Sequence, residues 1–159
     1  MQSAPTPAQF IVDAVDRTLA LAQTWLVWDG RPRLSEDGDR LYTPHKAIRR
    51  IADHLVDHLA EMEALVSGVP TLPDHWHGSL VTVAGDWASF TEVDLNEAQQ
   101  RLRRLASVFR LRFAAVGPSE WDRRREPNRS LRVIAEHVGS AWYAEQVGDL
   151  TSSTRTIRE

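Results

Sequence analysis

The stretch RIADHLVDHLAEMEAL, residues 50–65, holds His54 and His58 four residues apart. Four residues is just over one helical turn, so on a helix both imidazoles leave the same side. Two readings are open: a chelating pair, or polar residues at the edge of a buried stripe. A second group is DHWHGS, residues 74–79, where His75 and His77 flank Trp76. An H-x-H spacing in a loop can chelate, line a pocket, or be plainly polar. With no cysteine in the chain, disulfides, thiolate metal sites and cysteine nucleophiles are excluded. Any metal must use nitrogen and oxygen ligands, and zinc, nickel, manganese and iron all accept imidazole. Three ligands with an open position is the catalytic pattern. An ion held so would acidify a water or polarise a carbonyl or thiol. No glycine-rich phosphate loop, G-x-S-x-G elbow or H-E-x-x-H motif occurs in the chain.

Four helical segments must position these residues, and no convincing strand is predicted. The first spans about 7–28, with Thr6 as cap, Pro7 in the first turn and a loosely spaced apolar set that includes Phe10, Leu19 and Trp25. The second follows Thr43 and Pro44 and stops at Gly68 and Pro70. Ile48, Ile51, Ala52, Leu55, Leu59, Met62 and Val66 form its stripe, opposite Arg49, Arg50, Asp53, Asp57 and Glu61. At roughly 100° per residue, His58 falls about 80° from the stripe centre and His54 about 120°. His58 is therefore placed at the border of the buried face and His54 further out. Residues 68–93 form a long excursion with room for a short helix, and Trp76 and Trp87 are expected to plug it onto the helices. The third helix is expected to start at Asp94, with Asp94 and Glu97 as a capping box, and to close at Gly117. Leu95, Ala98, Leu102, Leu105, Val108 or Phe109, and Phe113 are its stripe. The fourth is expected to run unbroken from the Ser130 cap to Val147, with Gly148 as stop.

At 159 residues, 42% of them hydrophobic and 26% charged, the chain has the composition of one folded domain, 1–150, with a polar, flexible tail at 151–159. A net charge of −3 argues against a nucleic-acid partner. The arginines of RLRRL, RLR and DRRRE could form an anion site for an acidic substrate or thiol cofactor, but with a negative chain overall the favoured reading is pairing with the acidic face of the second helix and solvation. No run is long enough to span a bilayer and no signal peptide is evident, so a cytoplasmic, membrane-free protein is expected. Six tryptophans suit a helical core and a homodimer face.

Two segments carry a resemblance. SLRVIAEHVGSAWYAEQVG, from Ser130, resembles the last core helix of the DinB-like (YfiT-like) metalloenzyme superfamily in Ser130, Leu131, Arg132, Ile134, His137, Trp142 and Tyr143. HLAEME, from His58, is similar to that superfamily's second-helix signature, and YTP before it to its helix start. The resemblance covers about 7–148 and implies an all-α four-helix bundle with a long excursion between helices two and three. It also implies a divalent metal held by three histidines, one from the second helix and two, four apart, from the last. Related proteins include the mycothiol-dependent maleylpyruvate isomerases.

The chain departs from that pattern at Ala141, where the second histidine of the last helix would stand. His58 and His137 match ligand positions, and His54 is the candidate third, in a swapped arrangement. Otherwise His54 is a bystander, and Glu145 is an alternative carboxylate ligand. Asp57 and Glu61 could accept from the ligand rings, or be a solvated acidic face. His75, Trp76, His77, Trp142, Tyr143 and Glu61 are the expected pocket-lining residues. Two functions follow. One is a metal-dependent transferase, isomerase or hydrolase acting on a small molecule, with a low-molecular-weight thiol as cofactor. The other is a metal-free binding or interaction module that has lost the site.

Overall fold

A computed structural model describes residues 5–73 and 77–152. Pro7 opens α1, Pro7–Ala22, from an extended Thr6 whose side chain makes no capping bond. The helix ends six residues before the expected 28, giving way to a 3₁₀ turn at Trp25–Val27. There Trp25 is fully buried, and its indole N–H donates to the Gly148 carbonyl at 2.7 Å. A hairpin follows that the sequence pattern did not predict. β1, Arg33–Leu34, pairs antiparallel with β2, Leu41–Tyr42, around a turn in which Gly38 has φ 76°. Strands of two residues are too short to show a period of two.

The Thr43 hydroxyl caps α2, Pro44–Ser67, accepting from the Lys46 N–H at 3.2 Å, and left-handed Gly68 ends it at φ 70°. α3 runs Glu92–Val116, and its cap is Thr91, not Asp94. Asp94 is the third residue of the helix, and its carboxylate takes the Thr91 N–H at 2.8 Å. Phe109 is buried on this helix and Val108 exposed. A four-residue turn of helix, α4, Pro118–Trp121, follows.

The expected fourth helix is two pieces, α5, Leu131–Gly139, and α6, Tyr143–Val147. Ser130 caps α5 as expected, accepting from the Val133 N–H at 3.3 Å. The break has a local cause. The Ser140 hydroxyl donates to the His137 carbonyl at 2.9 Å, competing with the helix ladder, and Arg17 of α1 takes the Gly139 carbonyl at 2.7 Å. Gly139 also lets α1 and α5 touch, because a Cβ there would stand 2.7 Å from the Phe10 Cβ.

The described residues are mostly helical, with the small hairpin as their one sheet. α1 packs along α3 and α5, and α2 packs against α3, α5 and α6. The core between them includes Ile11, Leu55, Leu102, Phe109, Phe113, Leu131 and Ile134. The excursion is pinned by polar groups. Asp86, 2% exposed in a 3₁₀ turn at Ala84–Trp87, accepts from Arg49 at 2.7 and 3.1 Å and from the Val83 N–H at 2.9 Å. Buried Lys46 donates to Thr82 at 3.0 Å. Phe90 is the aromatic plug, edge-on to Trp25, whereas Trp87 is 46% exposed and does not plug; Trp76 lies outside the described residues. The arginine-rich segments pair mostly close by: Arg101 with Glu97, Arg123 and Arg125 with Glu120, and Arg112 across to Glu63 of α2. Of the expected tail, only Thr151 and Ser152 are described, and their N–H groups donate to Asp149. Among the described residues no helix is long and apolar enough to cross a membrane.

Candidate metal centre

α2 presents His54 and His58 on one flank, and the last residues of α5 bring His137 against them. The His54 and His58 ring centroids are 4.5 Å apart, those of His54 and His137 5.0 Å, and those of His58 and His137 4.8 Å. Each residue offers one ring nitrogen, and the three nitrogens lie within 4.8 Å of one another. The His54 and His137 Nε2 atoms are 3.1 Å apart. Two nitrogens each about 2.0–2.1 Å from one zinc ion stand about 3.3 Å apart at the tetrahedral angle. One edge of the set already has coordination length, and the remaining separations need to close by up to about 1.5 Å.

The rings are not equally placed. His54 is 8% exposed, His58 is half-buried and His137 is exposed. This reverses the order that the helical wheel predicts on α2, with His54 further from the buried face than His58. A helical wheel counts only the helix's own apolar residues. Here α2 is covered on a second flank by His137 and by Tyr143, whose ring meets His54 edge to face at 5.5 Å. Arg50, expected on the solvent face, is buried on the same account, with its guanidinium 5.4 Å from the Tyr143 ring centre.

Burial pushes the His54 ring down to about 3, helped by the neighbouring His58 and His137 and by the charges of Arg50 and Arg129. Burial, His58 and Arg129 also lower His137. Both are thereby held neutral at pH 7, the state in which imidazole offers a lone pair. His54 Nδ1 is buried without a hydrogen-bond partner. His58 Nδ1 donates to Glu61 Oε2 at 2.6 Å, which leaves Nε2 as its donor atom. Burial would raise the Glu61 carboxyl, but the His58 hydrogen bond and the Arg129 charge outweigh it and hold it below the usual range. Arg129 donates to both Glu61 oxygens, at 3.1 and 3.3 Å. Three imidazoles from two helices, two of them neutral, with a carboxylate behind the third, form a donor set that could hold a divalent ion.

Ala141 lies in the turn between α5 and α6, where its N–H bonds the Val138 carbonyl at 3.3 Å. The helix has ended there, so position 141 no longer continues the His137 face. Glu145 is turned away from the set to pair with Arg17 at 3.7 Å. Asp57 and Glu136 are exposed. His77 is exposed in the excursion, and His75 lies, like Trp76, outside the described residues. Trp142 and Tyr143 line a cleft of about 430 Å³ between the hairpin turn and α6. Sequence reasoning missed Arg50 and Arg129 as neighbours of the set. Their one signal was position: Arg50 stands four residues before His54, and Arg129 just before the Ser130 cap.

No family model matches the chain, and no curated protein or solved structure matches it significantly.

Proposed function

We propose that this chain is a divalent-metal enzyme with a DinB-like four-helix plan, in which His54, His58 and His137 hold the ion. A thiol-dependent transferase or isomerase is the activity that the resemblance favours. The observation that carries this reading is the convergence of the three imidazoles, within 4.8 Å, from helices 83 residues apart in sequence. His58 and His137 fall at the superfamily's ligand positions, and His54 makes good the ligand absent at Ala141.

Bound there, zinc, nickel, manganese or iron would supply Lewis acidity towards a thiol, water or carbonyl. The chain's own residues prepare the place. Burial keeps His54 free of a competing proton. Glu61 holds the proton on His58 Nδ1 and so fixes the tautomer, while Arg129 steadies Glu61. Tyr143 packs against His54 and limits its rotation.

Titration of the metal-free protein with cobalt(II) tests the reading. A visible band that saturates at about one ion per chain, and is lost in His54→Ala, His58→Ala and His137→Ala, is expected. No band, or one that survives all three substitutions, refutes the site and leaves a metal-free binding module.

A further inference from the structure

The cleft between the hairpin turn and α6 is lined in part by Trp142, Arg40, Glu36 and Asp37, which neither the core nor the histidine set uses. Its volume of about 430 Å³ is within the range of small-molecule pockets. One wall is Trp142, which leaves 65% of its surface exposed at the start of α6. Beside it stands Tyr143, whose ring also meets His54. The opposite wall is the turn 35–40, which contributes Glu36, Asp37 and Arg40. Arg40 Nε is buried yet has no hydrogen-bond partner; its nearest carboxylate oxygen, from Asp39, is 3.5 Å away. Asp37 is held in place by the Ser35 hydroxyl at 2.5 Å.

This lining selects a charge pattern. A simple anion attracted to Arg40 meets two carboxylates, and a simple cation drawn to those carboxylates meets Arg40. A molecule bearing both charges satisfies both walls. An apolar or aromatic group on that molecule would cover Trp142, whose indole face attracts both a stacked ring and an ammonium. We infer that the cleft is a binding subsite for a small zwitterion of the α-amino-acid type carrying an apolar group, with its carboxylate on Arg40, its ammonium towards Asp37 and Glu36, and its apolar group against Trp142. The inference does not rest on the metal reading, since none of His54, His58 and His137 lines the cleft. It does place the ligand one aromatic ring, that of Tyr143, from the histidine set.

Isothermal titration with three probes tests it: L-phenylalanine, phenethylamine, which lacks the carboxylate, and 3-phenylpropionate, which lacks the ammonium. Phenylalanine should bind, with each half-charged analogue at least tenfold weaker. Arg40→Gln should weaken phenylalanine about tenfold and leave phenethylamine unchanged. Trp142→Ala, at an exposed position, should weaken all binding without lowering the melting temperature. Equal binding of the three probes, no binding of phenylalanine up to 10 mM, or an Arg40→Gln variant that binds as well as the parent would overturn the assignment. Metal content plays no part in the readout, so failure here is separable from failure of the histidine site.

Discussion

Replacing Glu61 by glutamine takes one negative charge from behind the histidine set while keeping the side chain's shape. Glu61 Oε2 takes the His58 Nδ1 proton at 2.6 Å and an Arg129 N–H at 3.1 Å. The amide can still offer one oxygen, but no longer a negative charge behind the His58 ring. Losing such a partner costs a metal site about 10–100-fold in affinity, or about 1.4–2.7 kcal/mol. The metal-free fold should hardly notice. The Glu61 and Arg129 side chains are 19% and 39% exposed, and partly solvated pairs of this kind contribute about 1 kcal/mol or less. The assay is competition for zinc against a chromophoric chelator at pH 7, with the metal-free melting temperature measured alongside. Zinc affinity should fall by one to two orders of magnitude while melting moves by a few degrees at most. Unchanged affinity would refute the role given to Glu61. A metal-free protein destabilised enough to explain the loss would show that Glu61 serves the fold instead.

Three further outcomes are expected. His54 sits at about 3 in the fold against an ordinary 6.5, so the unfolded chain binds its proton first as pH falls. Stability of the metal-free protein that is fully present above 6.5 is therefore lost down to about 3, by on the order of 5 kcal/mol if the ring stays buried. His54→Gln should flatten the fall in melting temperature between pH 7 and 4, and an equally steep fall in that variant would assign the acid lability elsewhere. Gly139→Ala puts a methyl 2.8 Å from the Phe10 carbonyl oxygen and should cost about 1–3 kcal/mol in urea unfolding; a neutral result would mean that α1 and α5 do not meet there. Asp86→Asn breaks the Arg49 pair that pins the excursion and should cost about 3 kcal/mol, with faster proteolysis confined to 69–90. Cleavage unchanged in that segment would count against Asp86 as its anchor.

α2 was legible because each local signal agreed: Thr43 and Pro44 at the start, Gly68 at the end, and Ile48, Ile51, Leu55 and Met62 in step between. The break after α5 was hidden because Leu131, Ile134, Val138, Ala141 and Ala144 stand three or four residues apart through it. The signal was the Gly139–Ser140 pair, but its effect depends on Arg17 from a distant helix. At α3 two caps competed, and both Thr91–Asp94 and Asp94–Glu97 fit the capping-box pattern. The structure uses the earlier, where the Thr91 and Asp94 side chains bond each other's N–H groups. His58 and His137 were found through short motifs. The burial of His54 was not legible, since the groups covering it, Tyr143 and His137, lie 89 and 83 residues away. The Arg49–Asp86 pair likewise joins a helix to a loop and leaves no periodic trace.

Three imidazoles on α2 and α5 that hold one ion would carry it through purification. Elemental analysis of protein purified without a histidine tag tests this most directly, with His54→Ala, His58→Ala and His137→Ala prepared in parallel. About one zinc, nickel, manganese or iron per chain in the parent, and a fraction of that in each variant, is the predicted result. A parent chain that carries no metal, even after incubation with zinc, nickel and manganese, would show that the three histidines hold no ion.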